Sequence, residues 1–235
     1  MVESLVTPAQ NDFSAAERSA VYRALRERRD VRTGYVPQPV DDATLCRLLR
    51  AAHQAPSVGF MQPWRFIVVR SEALRMAVHR IFERANSDAA ARYRGERKQL
   101  YSRLKLEGLR EAPQHLCVLC DEESERGHYL GRRSMPETSV YSVVCAIQNL
   151  WLAARTEGIG VGWVSILDPP RIKELLRIPA NVQLVAYLSL GYVREFAEMP
   201  DLERDGWEQR AELAPLIRAD YFDQPYAADL RCETS

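Results

Sequence analysis

Lysine and long apolar runs are scarce in this sequence of 235 residues. Lysine occurs only at Lys98, Lys105 and Lys173, so nearly all of the 32 positive side chains are arginines, and 32 acidic side chains balance them. Nucleic acids and acidic membranes attract a basic field, which a net charge of zero does not provide. No run approaches the roughly eighteen apolar residues of a membrane span, and residues 1–17 do not resemble a secretory signal. We therefore expect a globular protein that binds neither nucleic acid nor membrane.

Paired cysteines and metal-binding motifs are also missing. The five cysteines, at positions 46, 117, 120, 145 and 232, are odd in number and widely spaced, which is typical of reduced thiols in a cytoplasmic protein. Cys117 and Cys120 form a C-x-x-C pair, but they lie within a strand pattern, with no second pair and no following helix. The four histidines have no paired spacing. We predict no metal site.

Apolar periodicity predicts helices and strands within a single domain. Ser14 and Glu17 have the spacing of a helix capping box, and Asp41 or Asp42 is expected to cap the next helix. Further helices are predicted over 71–94, 96–108, 134–156 and 169–177, and strands over 65–69, 114–120, 161–167 and 182–192. The proline-rich and aromatic tail after Arg194 is expected to wrap a neighbouring subunit or the chain's own core.

A cluster of charges, Arg28-Arg29-Asp30-Val31-Arg32, lies at the end of the first predicted helix. Arg28 and Arg32 are four residues apart, so on a helical turn they would project from the same side. A guanidinium group matches the oxygens of a phosphate, whereas the Asp30 carboxylate repels a phosphate and should face another part of a ligand. A solvated helix end with locally paired charges is the alternative interpretation.

The stretch Ala55–Trp64 combines two prolines and a glycine with apolar and aromatic side chains. The prolines and the glycine exclude regular structure, but a solvent-exposed loop would be more polar. The stretch is either a buried connection filled by Phe60 and Met61 or a loop that faces a ligand.

Glycines alternate at Gly158, Gly160 and Gly162, where a helix leads into the strand predicted over 161–167. A dinucleotide-binding fingerprint requires the opposite order, strand before helix, so the Rossmann interpretation is rejected. We expect these glycines to let backbone amides approach a planar ligand, with Ser165 inside the strand.

These stretches together resemble the nitroreductase-like flavoprotein family, over about residues 18–212. The resemblance is carried by residues 28–32, 51–64, 104–109, 148–155 and 160–165. The ending Gly206–Arg210 also resembles the family, although Glu208 stands where a basic residue is expected. Residues 1–17 are then an N-terminal lead-in and residues 213–235 a C-terminal extension.

The resemblance implies an α+β fold, with a central mixed sheet flanked by helices, in an intertwined homodimer with an FMN site at each subunit junction. It is strongest to a branch in which reduced FMN is the substrate. Molecular oxygen attacks the flavin there, and fragmentation yields 5,6-dimethylbenzimidazole, the lower ligand of vitamin B12. A separate flavin reductase would supply the reduced FMN.

The resemblance also assigns site residues. Asp30 matches a catalytic acid/base, and Ser165 matches a catalytic hydrogen-bond partner of the flavin or oxygen. The FMN contacts expected in this way are Arg28, Arg29, Asp30, Val31, Arg32, Ser57, Met61, Pro63, Lys105, Leu109, Gly162, Ser165 and Arg210. Lys105 fits a solvated helix lysine equally well.

Two other functions remain open from the sequence. One is an NAD(P)H-dependent nitroreductase that retains its FMN, and the other is a flavin carrier without catalysis. The long segment 71–109 argues against the nitroreductase if it closes the pocket to a nicotinamide. Asp30 argues against the carrier, because a simple binding site has little use for a carboxylate beside an anionic ligand.

Overall fold

The computed structural model describes residues 12–226, so Cys232, the start of the lead-in and residues 227–235 lie outside it. Its helices are α1 (Ala15–Glu27), α2 (Asp42–His53), α3 (Glu72–Ala90), α4 (Gly95–Tyr101), α5 (Thr138–Thr156), α6 (Pro169–Leu175) and α7 (Asp201–Arg204). Its strands are β1 (Trp64–Val69), β2 (Gln114–Asp121), β3 (Ile159–Val164) and β4 (Val182–Tyr192). Short 3₁₀ turns cover Val58–Phe60, Arg126–Tyr129 and Ala214–Leu216.

The four strands form one sheet in the order β1-β2-β4-β3, with every neighbouring pair antiparallel. The expected mixed sheet is therefore antiparallel within the described chain, apart from one isolated parallel bridge between Asp30 and Val161. That bridge is isolated and does not extend into a fifth strand, and the chain turns at Gly34, where φ is 80°.

Helices cover both faces of the sheet. Leu48 of α2 and Ile147 of α5 pack on one face, and Val78 of α3 and Ile172 of α6 pack on the other. Successive strand residues point to opposite faces, and the two cysteines of β2 illustrate this. Cys120 belongs to the first core and Cys117 to the second, and burial raises the pKa of both thiols to about 12.

Helix α5 begins at Thr138 rather than at the predicted Ser134. Residues 131–135 form a turn instead, in which the Ser134 N–H donates to the Gly131 carbonyl (3.1 Å). The α5 face that contacts the sheet is fully buried, whereas Tyr141 is 55% and Val144 40% exposed. The helix therefore has a second apolar face that residues 12–226 leave uncovered.

The predicted charged helix over 96–108 is much shorter in the structure, where α4 ends at Tyr101. Residues 104–108 are irregular because they make tertiary contacts instead of helical hydrogen bonds. The Lys105 carbonyl accepts from Arg32 Nη1 (3.3 Å), and a Cβ on Gly108 would lie 2.5 Å from the Tyr35 ring.

The capping box predicted at Ser14 and Glu17 is confirmed, since both of its hydrogen bonds are present. Helix α1 nevertheless has no buried residue, and Val21, Tyr22 and Leu25 are exposed. Val21 and Leu25, four residues apart, form an apolar stripe on this helix, and residues 12–226 leave it uncovered.

The first part of the tail packs on its own chain, through Phe196 beneath the Arg155 guanidinium and through Trp207. The Trp207 ring lies edge-on to Tyr93 and Tyr101, with centroid distances of 5.4 and 6.1 Å, and Arg97 Nη1 donates to the Trp207 carbonyl (2.7 Å). Beyond it, Leu216 and Phe222 are exposed. The first part of the tail thus covers the α3–α4 region, and the later part contacts little of this chain.

Candidate active site

The segment Arg28–Arg32 is extended, because α1 ends at Glu27. The Val31 N–H donates to the Val161 carbonyl (3.0 Å), beside the parallel bridge that Asp30 makes with Val161. The prediction that Arg28 and Arg32 share one side of a helical turn is therefore wrong. The edge of β3 offers unpaired backbone groups, and pairing with them replaces a further turn of helix.

Gly160 and Gly162 of β3 make this pairing possible. A Cβ on Gly162 would collide with the Val31 carbonyl oxygen, and a Cβ on Gly160 would lie 2.9 Å from Val31 Cγ2. The space that these two glycines leave is filled by Val31 of the same chain, and their contact with a planar ligand stays a prediction.

Asp30 is oriented by three hydrogen bonds. The Trp163 N–H donates to Oδ1 (2.8 Å), and Arg32 donates to Oδ2 through Nε (3.0 Å) and Nη2 (2.7 Å). A carboxylate has about four acceptor positions, and the Asp30 side chain is 29% exposed. The carboxylate is therefore fixed in position and still has one acceptor position open toward solvent.

Ser165 lies just beyond β3, which ends at Val164, so the prediction that it lies within the strand is wrong. The chain turns there, and the Leu167 N–H donates to the Ser165 carbonyl (3.0 Å). Ser165 is exposed and follows Trp163 by two residues, about 7 Å along an extended chain. Ser165 and Asp30 therefore lie at the same end of β3.

Arg28 and Arg29 point to different partners. The Arg28 guanidinium lies over the Trp151 ring, 4.7 Å from its centroid. Arg29 donates to the carbonyls of Arg26, Arg28 and Glu198, while its buried Nε has no hydrogen-bond partner. Arg29 thus retains one donor that the described residues do not satisfy.

Positive charge predominates around Arg29. Burial lowers the pKa of Arg29, the charges of Arg28, Arg210 and Arg155 lower it further, and the Glu27 carboxylate raises it by a smaller amount. Arg155 pairs with Glu27 (2.6 Å), but Arg28, Arg29 and Arg210 have no carboxylate partner within residues 12–226. An anion bound here would relieve this repulsion. Arg32 is committed to Asp30 instead.

The cavity beside this segment is small. It lies between residues 29–34 and residues 195–204, with a volume of about 160 Å³. Pockets for small ligands usually measure roughly 300 Å³ or more. One chain therefore does not enclose a complete flavin at this position.

The loop before β1 combines buried and exposed side chains. Met61 is 1% exposed, as expected for a buried connection, whereas Phe60 is 71% exposed, as expected for a loop that faces a ligand. Met61 Sδ accepts from Ser139 Oγ (3.8 Å), and Pro63 is buried. Ser57 Oγ accepts from the Gln62 N–H (3.0 Å) and closes the loop.

This loop and the arginines lie far apart in one chain. The Val58 N–H donates to Ser142 Oγ near the start of α5 (3.0 Å), whereas Arg155, beside Arg29, lies near the end of α5. At about 1.5 Å per residue, Ser142 and Arg155 are separated by about 20 Å along the helix axis. The two groups also flank opposite edges of the sheet, β1 and β3.

Segment 104–109, which contains Lys105 and Leu109, contacts the arginine segment Arg28–Arg32. The contact is a hydrogen bond from Arg32 to the Lys105 carbonyl. The Lys105 ammonium group contacts Glu107 (3.4 Å) and Glu111 (3.3 Å), and Lys105 is not on a helix. Leu109 is 3% exposed.

Sequence reasoning missed residues that shape this site. Trp163 orients Asp30 through its backbone N–H, which any residue but proline has, so no sequence signal marks it. Trp151 and Arg155 lie four residues apart on α5, a spacing that places both on one helix face. That spacing was a usable signal for their joint packing against the Arg28–Arg32 segment.

The described part of the chain has neither a membrane-spanning helix nor a metal-binding cluster. No helix in residues 12–226 is long and apolar enough to cross a membrane. In the same part of the chain, no group of three or more His, Cys, Asp or Glu side chains is arranged to bind a metal ion.

The fold is that of a nitroreductase-type protein. The sequence profile described as the Nitroreductase family matches residues 25–192, and the chain belongs to this family. A Rhodospirillum rubrum protein named 5,6-dimethylbenzimidazole synthase is 50% identical over 206 residues, which cover 88% of this chain and 97% of that protein. A Rhodobacter capsulatus protein of the same name is 42% identical over 84% of this chain and 95% of its own length.

Solved structures support the same fold. An iodotyrosine deiodinase bound to FMN and 3-iodo-L-tyrosine has a TM-score of 0.68 at 24% identity, covering 86% of this chain and all of that one. A BluB-like flavoprotein from Clostridium difficile has a TM-score of 0.60 at 18% identity, covering 77% of this chain and 93% of that one. Likenesses at these identities establish the architecture alone.

Proposed function

We propose that this protein is a 5,6-dimethylbenzimidazole synthase of cobalamin biosynthesis, which consumes reduced FMN and molecular oxygen. The observation that carries the proposal is the 50% identity to the Rhodospirillum rubrum synthase over nearly the whole of both chains. Reduced FMN supplies both the electrons that reduce oxygen and the atoms that form the ring of the product. Because the flavin is consumed, a separate flavin reductase must deliver it in the reduced form.

The phosphate of FMN fits the positive cluster around Arg29. The unsatisfied Nε of Arg29 and the unpaired charges of Arg28 and Arg210 supply donors and charge for a dianion. Charge-assisted hydrogen bonds of this type are about twice as strong as neutral ones. We assign the binding of the phosphate to these three arginines and the orientation of Asp30 to Arg32.

Asp30 and Ser165 are assigned to the chemistry. The open acceptor position on the Asp30 carboxylate can take a proton from the ribityl chain or the ring and return it. Ser165 Oγ has no hydrogen-bond partner within residues 12–226, so it is available to the flavin or to oxygen. Ser57, Met61, Pro63, Lys105, Leu109, Gly162 and Val31 complete the proposed set of contacts, some through backbone atoms.

The complete site is assigned to a homodimer. The loop Ser57–Pro63 and the arginines lie about 20 Å apart along α5, so one flavin contacts both most simply where two chains meet. The exposed apolar residues of α1 and α5, such as Tyr22 and Tyr141, provide surface for that contact. We place the domain at residues 18–212, between a lead-in and a C-terminal extension.

The test is a single-turnover reaction with chemically reduced FMN and oxygen, followed by mass spectrometry. We expect 5,6-dimethylbenzimidazole from the unaltered protein. Asp30→Asn should lower its formation by about 10²- to 10⁴-fold, the range of general acid–base catalysis, while FMN still binds. Ser165→Gly should lower product formation to background, again while FMN still binds.

Asp42→Asn serves as the control, because Asp42 is an exposed carboxylate that pairs with Arg70. Recovery of intact FMN without benzimidazole would contradict the proposed function. Oxidation of NAD(P)H with retained FMN would then identify a nitroreductase, and binding without turnover would identify a carrier.

A further inference from the structure

Glu107 is a buried carboxylate outside the set proposed for flavin contact and chemistry. It is 6% exposed. Its Oε2 accepts from the Leu109 N–H, and its Oε1 lies 3.4 Å from Lys105 Nζ and 3.7 Å from His79 Nε2. A buried carboxylate is costly unless its oxygens have such partners. The Glu107 carboxylate is therefore held by contacts to Lys105 and Leu109, which lie in the same segment, 104–109.

The Leu109 peptide is bound from its other side as well. The Leu109 carbonyl lies 3.0 Å from His115 Nε2, and the Tyr187 hydroxyl lies 3.0 Å from His115 Nδ1. A carbonyl only accepts, so Nε2 carries the proton and Nδ1 accepts from Tyr187. Burial lowers the pKa of His115 to about 4, which keeps the ring neutral at pH 7. Both polar groups of Leu109 are thus fixed by buried side chains.

Segment 104–109 in turn contacts the residues around Asp30. Arg32 Nη1 donates to the Lys105 carbonyl (3.3 Å), and Arg32 is the residue that binds Asp30 Oδ2. Gly108 packs against Tyr35 so closely that a Cβ would lie 2.5 Å from the ring. A displacement of segment 104–109 would therefore reach Asp30 through one intermediate side chain.

We propose that Glu107 is a positioning residue, which binds the Leu109 N–H and thereby keeps segment 104–109 against Arg32 and Asp30 in its productive orientation. This inference rests on the proposed function only for the role of Asp30.

Two conservative variants separate the hydrogen bond of Glu107 from its charge. Glu107→Gln retains an oxygen that reaches the Leu109 N–H but removes the charge, whereas Glu107→Asp retains the charge but is too short to reach. We expect Glu107→Asp to lower kcat for benzimidazole formation by about 10- to 100-fold, as small misplacements of catalytic groups do, with KM for reduced FMN nearly unchanged. Glu107→Gln should retain most of kcat.

Glu83→Gln is the matched control, because Glu83 contacts the other side of His79 (3.6 Å) from an exposed position. It should behave as the unaltered protein. Equal losses of kcat in Glu107→Gln and Glu107→Asp would overturn the proposal, as would a rise in KM at constant kcat.

Amide hydrogen exchange tests the same inference without turnover. In Glu107→Asp we expect faster exchange at Leu109 and at Trp163, whose N–H donates to Asp30, and no change in Glu107→Gln. Unchanged exchange at Trp163 in Glu107→Asp would contradict the coupling. If the unaltered protein forms no benzimidazole, the proposed function is wrong. The hydrogen-exchange measurement still shows whether Glu107 positions segment 104–109, because it does not depend on turnover.

Discussion

The two segments proposed to contact the flavin differ in how completely one chain supports them. Arg28–Arg32 pairs with β3 through its backbone, and Asp30 on it accepts three hydrogen bonds. The loop Ser57–Pro63 lies at the opposite sheet edge and exposes 71% of Phe60. The backbone and the Asp30 side chain of the first segment are thus held in place within one chain, whereas the outer surface of the second segment is left for another molecule to cover.

The loop is also strained, which the arginine segment is not. Gly59, Phe60 and Gln62 have φ values of 55°, 55° and 51°, a conformation that costs energy for residues other than glycine. Gly59 packs against Gly127 so closely that a Cβ on Gly127 would lie 2.5 Å from the Gly59 carbonyl. Close packing between two turns maintains this conformation, which is the type of feature that collects at binding sites.

Mixing two inactive variants gives the largest expected effect. If each site combines the arginine segment of one copy with the loop of the other, Asp30→Asn and Ser57→Tyr should complement each other. A random mixture of the two chains would contain intact sites amounting to roughly a quarter of the total, because half of the dimers are mixed and one of their two sites is unaltered. Benzimidazole formation after co-refolding measures this recovery.

The control mixes Asp30→Asn with Ser165→Gly, two residues at the same end of β3. No recovery is expected there if both residues act in one site of one chain. Absence of recovery in the Asp30→Asn and Ser57→Tyr mixture would place both segments of a site in the same copy. The loop Ser57–Pro63 would then not serve the site of a second copy.

Removing one unpaired arginine is expected to weaken FMN binding by a smaller amount. Arg28→Ala should cost about 1.5–3 kcal/mol, the usual contribution of a hydrogen bond to a charged group, since Arg28 lies over Trp151 without a carboxylate partner. Titration with FMN measures the loss.

Arg84→Ala is the control, because Arg84 is exposed on α3, which packs on the face of the sheet opposite Trp151 and Arg28. Equal affinities of the Arg28→Ala variant and the unaltered protein would show that the phosphate does not bind at this cluster. Riboflavin, which lacks the phosphate, should bind the Arg28→Ala variant and the unaltered protein with the same affinity.

Substitution of a β3 glycine tests the support of the arginine segment itself. Gly162→Ala should lower the free energy of unfolding by about 1–3 kcal/mol, because its Cβ would collide with the Val31 carbonyl. It should also lower product formation, since residues 29–32 must move. Urea unfolding and the turnover assay measure the two effects.

Gly158→Ala separates those two effects. Gly158 has φ of 73° but nothing within 4 Å of an added Cβ, so strain should cost roughly 1–2 kcal/mol and leave turnover unchanged. A Gly162→Ala variant with normal stability and turnover would show that residues 29–32 do not depend on β3.

Local patterns predicted the elements well where neighbouring residues decide the structure. The strand Val182–Tyr192 has the predicted bounds, and the capping box of Ser14 and Glu17 is present. Predictions were wrong where a distant residue competes for the backbone. The charged run after α4 is irregular because Arg32 and Tyr35 contact it, and the arginine segment is extended because β3 pairs with it.

Five stretches between residues 28 and 165 by themselves indicated the family of this protein, and one of them, Arg28–Arg32, showed a carboxylate among arginines. Only the tertiary structure decided which groups that carboxylate bonds, that the β3 glycines admit Val31, and that the loop before β1 lies far from the arginines. The reason is physical. Helix caps and apolar alternation act between near neighbours, whereas an open strand edge, a missing Cβ and a buried carboxylate take their partners from segments brought together only by folding.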